Sequence, residues 1–350
     1  LNLAPPTADQ LSRPSGFGEP AAEAGRFLSS PRAWPWTVLA TAAAFGWLDT
    51  QRTTTAAAWP FVIALLAFGM PHGAADWTVA AKLDRRVGFV ARASGFSGYL
   101  LLMAASLGLI MWQPGVAGLL FLLLTVFHFG MADATAVRAD GDGPIARWGL
   151  VIARGLLLLA TAFATHPQAA WAPFAHIGSA LSPWHAAAWK PDLDVLRSLA
   201  AIGVASGVVL AVSSAIARMR AGHPRAASLD LVEHALVAGM AALADPLFAV
   251  GCFFLGVHAF RHTRRLACTR EVLEPPAAPG TLLPRMLRVH LISLPLMWPT
   301  AACLVPLCWL LGGVNLQTLA VASIAFYMIT TLPHHLLGLR LPQPDMPPAA

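Results

Sequence analysis

Leu247-Phe248-Ala249-Val250-Gly251-Cys252-Phe253-Phe254-Leu255-Gly256-Val257-His258-Ala259-Phe260-Arg261-His262 joins an unbroken apolar run to a pair of histidines. On a helix, His258 and His262 lie one turn apart on the same face. That spacing suits two ligands of one metal ion. An imidazole inside a membrane segment is costly unless it has a partner or borders water, so it points to a function. The plainer reading is that His262 marks a helix end among Arg261, Arg264 and Arg265. The rest of the chain decides between the two.

The 350 residues are 57% hydrophobic and 11% charged, against about 25% charged in ordinary soluble domains. With a mean hydropathy of +0.63, the chain reads as an all-α, polytopic transmembrane helix bundle. The net charge of +6 does not imply nucleic-acid binding, because the basic residues sit between apolar runs. Cys252, Cys268, Cys303 and Cys308 form no CxxC pair and read as small core residues. Residues 1–32 carry no apolar stretch of the signal-peptide kind and read as a flexible tail. Residues 33–340 then form one transmembrane helical domain, and 341–350 a Pro-rich C-terminal tail.

Ten apolar segments fall near 34–48, 56–72, 95–112, 115–132, 146–165, 196–216, 231–245, 247–262, 288–311 and 316–338. Some are shorter than the roughly 20 residues of a comfortable span, which sets the expected count at eight to ten. The longest connections are 76–94, 166–195 and 263–287. With the N-terminus inside, nineteen of the 23 Lys and Arg fall on the cytoplasmic side. Arg52, Lys190 and Arg197 fall on the other, and Arg154 lies within the fifth segment. This skew predicts an inner-membrane, multi-pass protein with both termini cytoplasmic. His72, His128, the pair His258 and His262, and the pair His334 and His335 then all lie in the cytoplasmic third of even-numbered helices. A membrane-embedded metal site would require that coincidence; composition does not.

Gly69-Met70-Pro71-His72-Gly73-Ala74-Ala75-Asp76 sets a histidine between Pro and Gly, with Asp76 placed to accept the second N–H of its ring. Phe127-His128-Phe129-Gly130-Met131-Ala132-Asp133 repeats that logic, and Leu332-Pro333-His334-His335 again pairs Pro with His. Adjacent histidines point about 100° apart, so at most one of the last two faces the site. Taken singly, the plainer readings of the first two are a helix stop and a core histidine; the last could supply a further ligand, a group supporting one, or part of a tunnel. Glu233 and Arg154 are placed to pair with site groups. Tyr327, two turns before His334, is either a tunnel wall or an interfacial aromatic.

Together these motifs resemble the membrane β-carotene 15,15′-dioxygenases of the Brp/Blh family, in the same order and over roughly residues 60–340. The resemblance implies a non-haem ferrous enzyme, with Fe(2+) held by His72, His128, His258 and His262. It implies cleavage of β-carotene by O2 at the central double bond into two retinals, supplied to rhodopsins. Asp76, Asp133, His334 and Glu233 are expected to support the ligands. Phe127, Phe129, Phe260, Gly73, Gly130 and Tyr327 are expected along a tunnel that enters from the lipid bilayer. Because the histidines sit near one membrane face, the polyene is expected to lie tilted near the cytoplasmic leaflet. The N-terminal tail and the doubled His334-His335 depart from the family's core pattern. Imidazole alone does not name the metal. A two-iron hydroxylase would need more paired histidine boxes than the one HxxxH here. A haem-binding, metal-transporting or rhodopsin-assembly bundle is the non-enzymatic alternative.

Overall fold

A computed structural model describes residues 30–138, 141–186, 191–274 and 282–344. Most of the two expected tails, 1–29 and 345–350, lies outside the described residues. The described residues form thirteen helices and no strand. They are α1 (Ala33–Leu48), α2 (Thr50–Thr55), α3 (Ala58–Leu83), α4 (Phe89–Trp112), α5 (Pro114–Ala136), α6 (Pro144–Thr165) and α7 (Pro167–Leu181). There follow α8 (Pro183–Ala186), α9 (Leu193–Arg220), α10 (Pro224–Leu243), α11 (246–268), α12 (Leu282–Leu310) and α13 (Leu316–Arg340).

The helix starts are written in the sequence. α5, α6, α7, α10 and α11 open on a proline, whose missing N–H costs nothing in the first turn. Asp49, Asp192 and Asp245 cap α2, α9 and α11 through their carboxylates. Asn315 and Thr318 form a reciprocal capping box on α13.

Eight helices, α3–α6, α9, α10, α12 and α13, are long and apolar enough to cross a membrane, within the expected eight to ten. The two further expected spans are helical but fall short. α1 has 16 residues, and α11 ends in the polar turns Ala259–Cys268. α4, α9 and α12 turn much of their apolar surface outward, with Leu101, Val209 and Trp298 all more than half exposed. Such a surface would drive aggregation in water. In a bilayer it meets lipid, so the chain is a membrane protein.

The connections are more structured than expected. Residues 166–195 hold α7 and α8, α3 continues through Leu83, and α12 begins at Leu282. α7 lies across the ends of other helices. His176 Nε2 donates to Leu311 O just beyond α12 (2.9 Å), Ser182 Oγ donates to Met111 O in α4 (2.6 Å), and Gly178 faces Pro114 at the start of α5.

Small residues let the long helices touch backbone to backbone, as membrane helices do. α5 and α6 run antiparallel in reciprocal glycine contact. A Cβ on Gly130 would enter the backbone of Val151, and one on Gly155 the backbone of Val126. Gly149, Gly203 and Gly207 seat α6 against α9 in the same way, and Ser214 Oγ donates to Ala146 O at 2.6 Å.

Two helices are locally underwound. Leu65–Gly69 of α3 and Phe254–His258 of α11 are π-helical, the form that inserts a residue and often marks functional sites. Gly69 and Phe254 bring the two π segments into contact.

Candidate metal centre

Four helices converge where these segments meet. His72 from α3, His128 from α5, His258 and His262 from α11 and His334 from α13 form one buried cluster. Ring centroids lie 4.6 Å apart for His128–His258, 5.0 Å for His72–His262 and His262–His334, and 5.1 Å for His128–His334. His72–His334, His72–His258 and His258–His262 are 5.2, 5.7 and 6.3 Å apart. Imidazoles on one ion, with nitrogens about 2.1 Å from it, have centroids about 4.6 Å apart at a right angle and about 6.5 Å apart when opposite. The rings therefore have the spread of a ligand set without its closure. Among the described residues no three His, Cys, Asp or Glu side chains are drawn around a common point as in a finished site.

The hydrogen bonds say which nitrogens are free. Phe68 O accepts from His72 Nδ1 at 2.8 Å, which leaves Nε2 with its lone pair. His334 Nδ1 is bonded to Asp76 Oδ2 at 2.7 Å, and its buried Nε2 has no partner. Neither nitrogen of His258 has one. His128 Nδ1 meets His335 Nδ1 at 3.3 Å. Buried polar atoms are nearly always satisfied, so the orphaned nitrogens of His258 and His334 within one cluster call for an occupant. A cation accepting several neutral lone pairs fits them.

Asp76 supports a different histidine from the one expected. It is four residues from His72, yet it binds His334 of α13 and accepts from Tyr99 Oη of α4 at 2.8 Å. The carbonyl of Phe68 takes the place foreseen for it on His72. Of the adjacent pair, His334 faces the cluster and His335 backs His128. Asp76→Asn keeps an acceptor oxygen but loses its charge, and is expected to weaken metal binding or turnover by about 10–100-fold. Titrating metal into the purified variant checks this; complete loss of metal would mean that Asp76 binds it directly.

Asp133 and Glu233 also stand elsewhere than expected, in a buried ion group behind α11. Glu233 pairs with Arg154, with Arg261 (2.7 Å) and with Arg32 (2.9 Å), and accepts from Trp36 Nε1 (2.9 Å). Asp133 lies 3.3 Å from both Arg154 and Arg261. Arg261 also donates to Pro31 O through Nε and Nη2. Its guanidinium, rooted between His258 and His262 in sequence, is thereby clamped to two buried carboxylates and a carbonyl on the flank of α11.

An apolar cavity of about 260 Å³ opens from the histidines. Of the residues expected along a tunnel, Phe129, Gly73 and Tyr327 are on its wall. Phe127, Phe260 and Gly130 are not. Phe127 is 41% exposed on the outer face of α5; it and Phe129 are turned about 100° from His128 in opposite senses, and only the side of Phe129 faces inward. Phe260, two residues from His258, lies on the opposite face of α11 and packs on Trp34 and Phe68. Gly130 is consumed by the contact with α6.

The cavity also runs in a different direction from the tilted tunnel expected. It follows α13 from His334 back to Ile324, α11 from His258 back to Pro246 and α3 from His72 back to Phe61, about 15–18 Å at 1.5 Å per residue. Ala169, Ala170, Pro173 and Phe174 of α7 line it too. The half-exposed Leu100 of α4 and the exposed Cys303 of α12 are on its wall, where it meets the lipid-facing surface.

The two glycines now separate. A Cβ on Gly73 meets nothing within 4 Å, so Gly73→Leu is expected to fold, keep its metal and lose most turnover by filling the cavity. Gly130→Leu is expected to fail to fold. Detergent-solubilised yield with metal content checks both.

The sequence profile of the family described as β-carotene 15,15′-dioxygenase matches residues 63–341, a range holding all five clustered histidines. The chain belongs to this family. Membership makes it an enzyme of the dioxygenase class. A family relative from Halobacterium salinarum, described as a probable β-carotene 15,15′-dioxygenase, is 27% identical over 89% of this chain and 92% of its own length. A β-carotene 15,15′-dioxygenase from an uncultured marine bacterium is 36% identical over 27% of this chain and 33% of its own. No solved structure matches.

Proposed function

We propose that this chain cleaves β-carotene at its central 15,15′ double bond with O2, using a ferrous ion held by His72, His128, His258 and His262. His334 is the fifth imidazole of the same cluster. The observation that carries the reading is the cluster of buried imidazoles with unpaired nitrogens at one end of an apolar cavity. Names carried by the relatives agree with it. One carbon–carbon double bond and one O2 become two carbonyl groups, giving two molecules of retinal with no atom left over.

Bound iron would supply the oxygen chemistry that apolar side chains cannot. The chain's own residues do the rest. Phe129, Phe254 and Tyr327 hold an apolar polyene against the histidines and keep water out. Asp76 fixes the tautomer of His334 through Nδ1, leaving Nε2 toward the cluster. Phe68 O does the same for His72. Entry is from the bilayer, through the lipid-facing wall between α4 and α12. The Lys and Arg skew supports a bacterial inner membrane with both termini cytoplasmic. The retinal would serve a rhodopsin, as the resemblance implies.

Expression in a β-carotene-producing bacterium tests the reaction. Loss of colour with accumulation of retinal is expected, and purified protein is expected to lose activity with a chelator and regain it with ferrous iron. Hydroxylated carotenoid without retinal would identify a hydroxylase instead. A Soret band would identify a haem protein.

A further inference from the structure

Most hydroxyls on the cavity wall are occupied within the protein. Thr125, Thr300 and Thr330 donate to carbonyls one turn back in their own helices at 2.7, 2.8 and 3.0 Å, and Tyr99 donates to Asp76. Tyr327 differs. Its phenol oxygen is buried and has no partner among the described residues. It lies over Gly69, where a Cβ would sit 2.8 Å from it. The ring packs on Phe61 and Phe254 with centroids 6.0 and 5.1 Å away. Phe254 in turn stacks on His258 at 5.7 Å and touches His72 at 5.9 Å. The free O–H therefore stands one aromatic ring away from the histidines, in the wall of a largely apolar cavity.

A buried hydroxyl without a partner is destabilising, and phenylalanine would fill the same space without that cost. The hydroxyl is explained if a ligand supplies an acceptor. A hydrocarbon polyene has none. Its cleavage product does: each half gains one carbonyl oxygen, at the end that lay against the histidines. We propose that Tyr327 is the hydrogen-bond donor to the carbonyl of the conjugated aldehyde formed in this cavity. It touches nothing polar in the substrate complex and holds the product once the double bond is cut. This rests on the reaction proposed above.

The test is binding, not turnover. All-trans-retinal and an oxygen-free hydrocarbon of the same skeleton are titrated into the purified full chain in detergent, wild type and Tyr327→Phe, with tryptophan fluorescence and retinal absorption as readouts. The variant is expected to bind retinal about 3–10-fold more weakly and the hydrocarbon as before. It is also expected to hold retinal at a shorter absorption wavelength and to melt no lower than wild type. A purely structural tyrosine would lower the melting temperature and leave the spectrum unmoved. Equal retinal affinity and equal spectra in the two proteins overturn the proposal. If the variant does not fold, the wild type decides: retinal bound no more tightly than the hydrocarbon is the overturning result. Absence of retinal from wild-type cells fed β-carotene defeats the reaction instead, and the binding comparison still reads Tyr327.

Discussion

Alanine at His258 is expected to reduce retinal formation to background and to lower bound metal, while leaving the fold intact. His258 lies against both His128 and His72, so no remaining imidazole can replace it without moving a helix. Neither of its nitrogens has a protein partner to lose, so its removal costs no hydrogen bond. The variant should therefore melt close to metal-free wild type. The same loss is expected for His72→Ala, His128→Ala and His262→Ala. Activity by chromatography and metal by mass spectrometry on the same sample check it. A variant with near-normal values of both would remove its residue from the ligand set.

Glu233→Ala is expected to have the largest effect on stability. Its carboxylate is fully buried and pairs with Arg154, Arg261 and Arg32. Removing it leaves Asp133 as the one carboxylate shared by Arg154 and Arg261. Breaking a buried ion group in this way costs about 3–5 kcal/mol, a large part of the ~5–15 kcal/mol that holds a typical domain together. Glu233→Gln keeps the shape and one acceptor and is expected to lose less. Thermal melting in detergent gives the order Ala below Gln below wild type. Because Arg261 sits between His258 and His262, metal affinity is expected to fall in the same order. Unchanged metal affinity in a folded Glu233→Gln protein would separate the ion group from the site.

The histidines were legible because helical spacing is geometry: four residues put His258 and His262 on one face whatever surrounds them. The same rule turns Phe260 to the opposite face of its helix, while Phe127 and Phe129 flank His128 symmetrically and only packing decides which of them faces the cavity. Other features had no local signal. Asp76 finds its partners 23 and 258 residues away, in Tyr99 and His334, and four-residue proximity to His72 was misleading. The role of Gly130 depends on Val151, a contact between helices that hydropathy does not report. Leu65–Gly69 and Phe254–His258 hold no residues that demand the π turns before His72 and at His258, and the contact of Phe254 with Gly69 joins segments far apart in sequence. α7 was legible in part. Pro167 is a helix start signal, but polar residues and Pro173 lowered its hydropathy until it read as a connection.

That helix has a bearing on which bond is broken. α7 lies under the cavity at the end away from the histidines, and the depth between them is about 15–18 Å by helical rise. A carotenoid as long as a bilayer core is thick, roughly 30 Å, reaches its midpoint at that depth when one ring rests against Ala170 and Phe174. On the proposed reaction, the chain acts as a gauge. It needs no group that recognises the central bond, because the floor stops the ring and the histidines meet whatever lies half a molecule above it. Regiochemistry then belongs to a helix that never touches the reacting carbons.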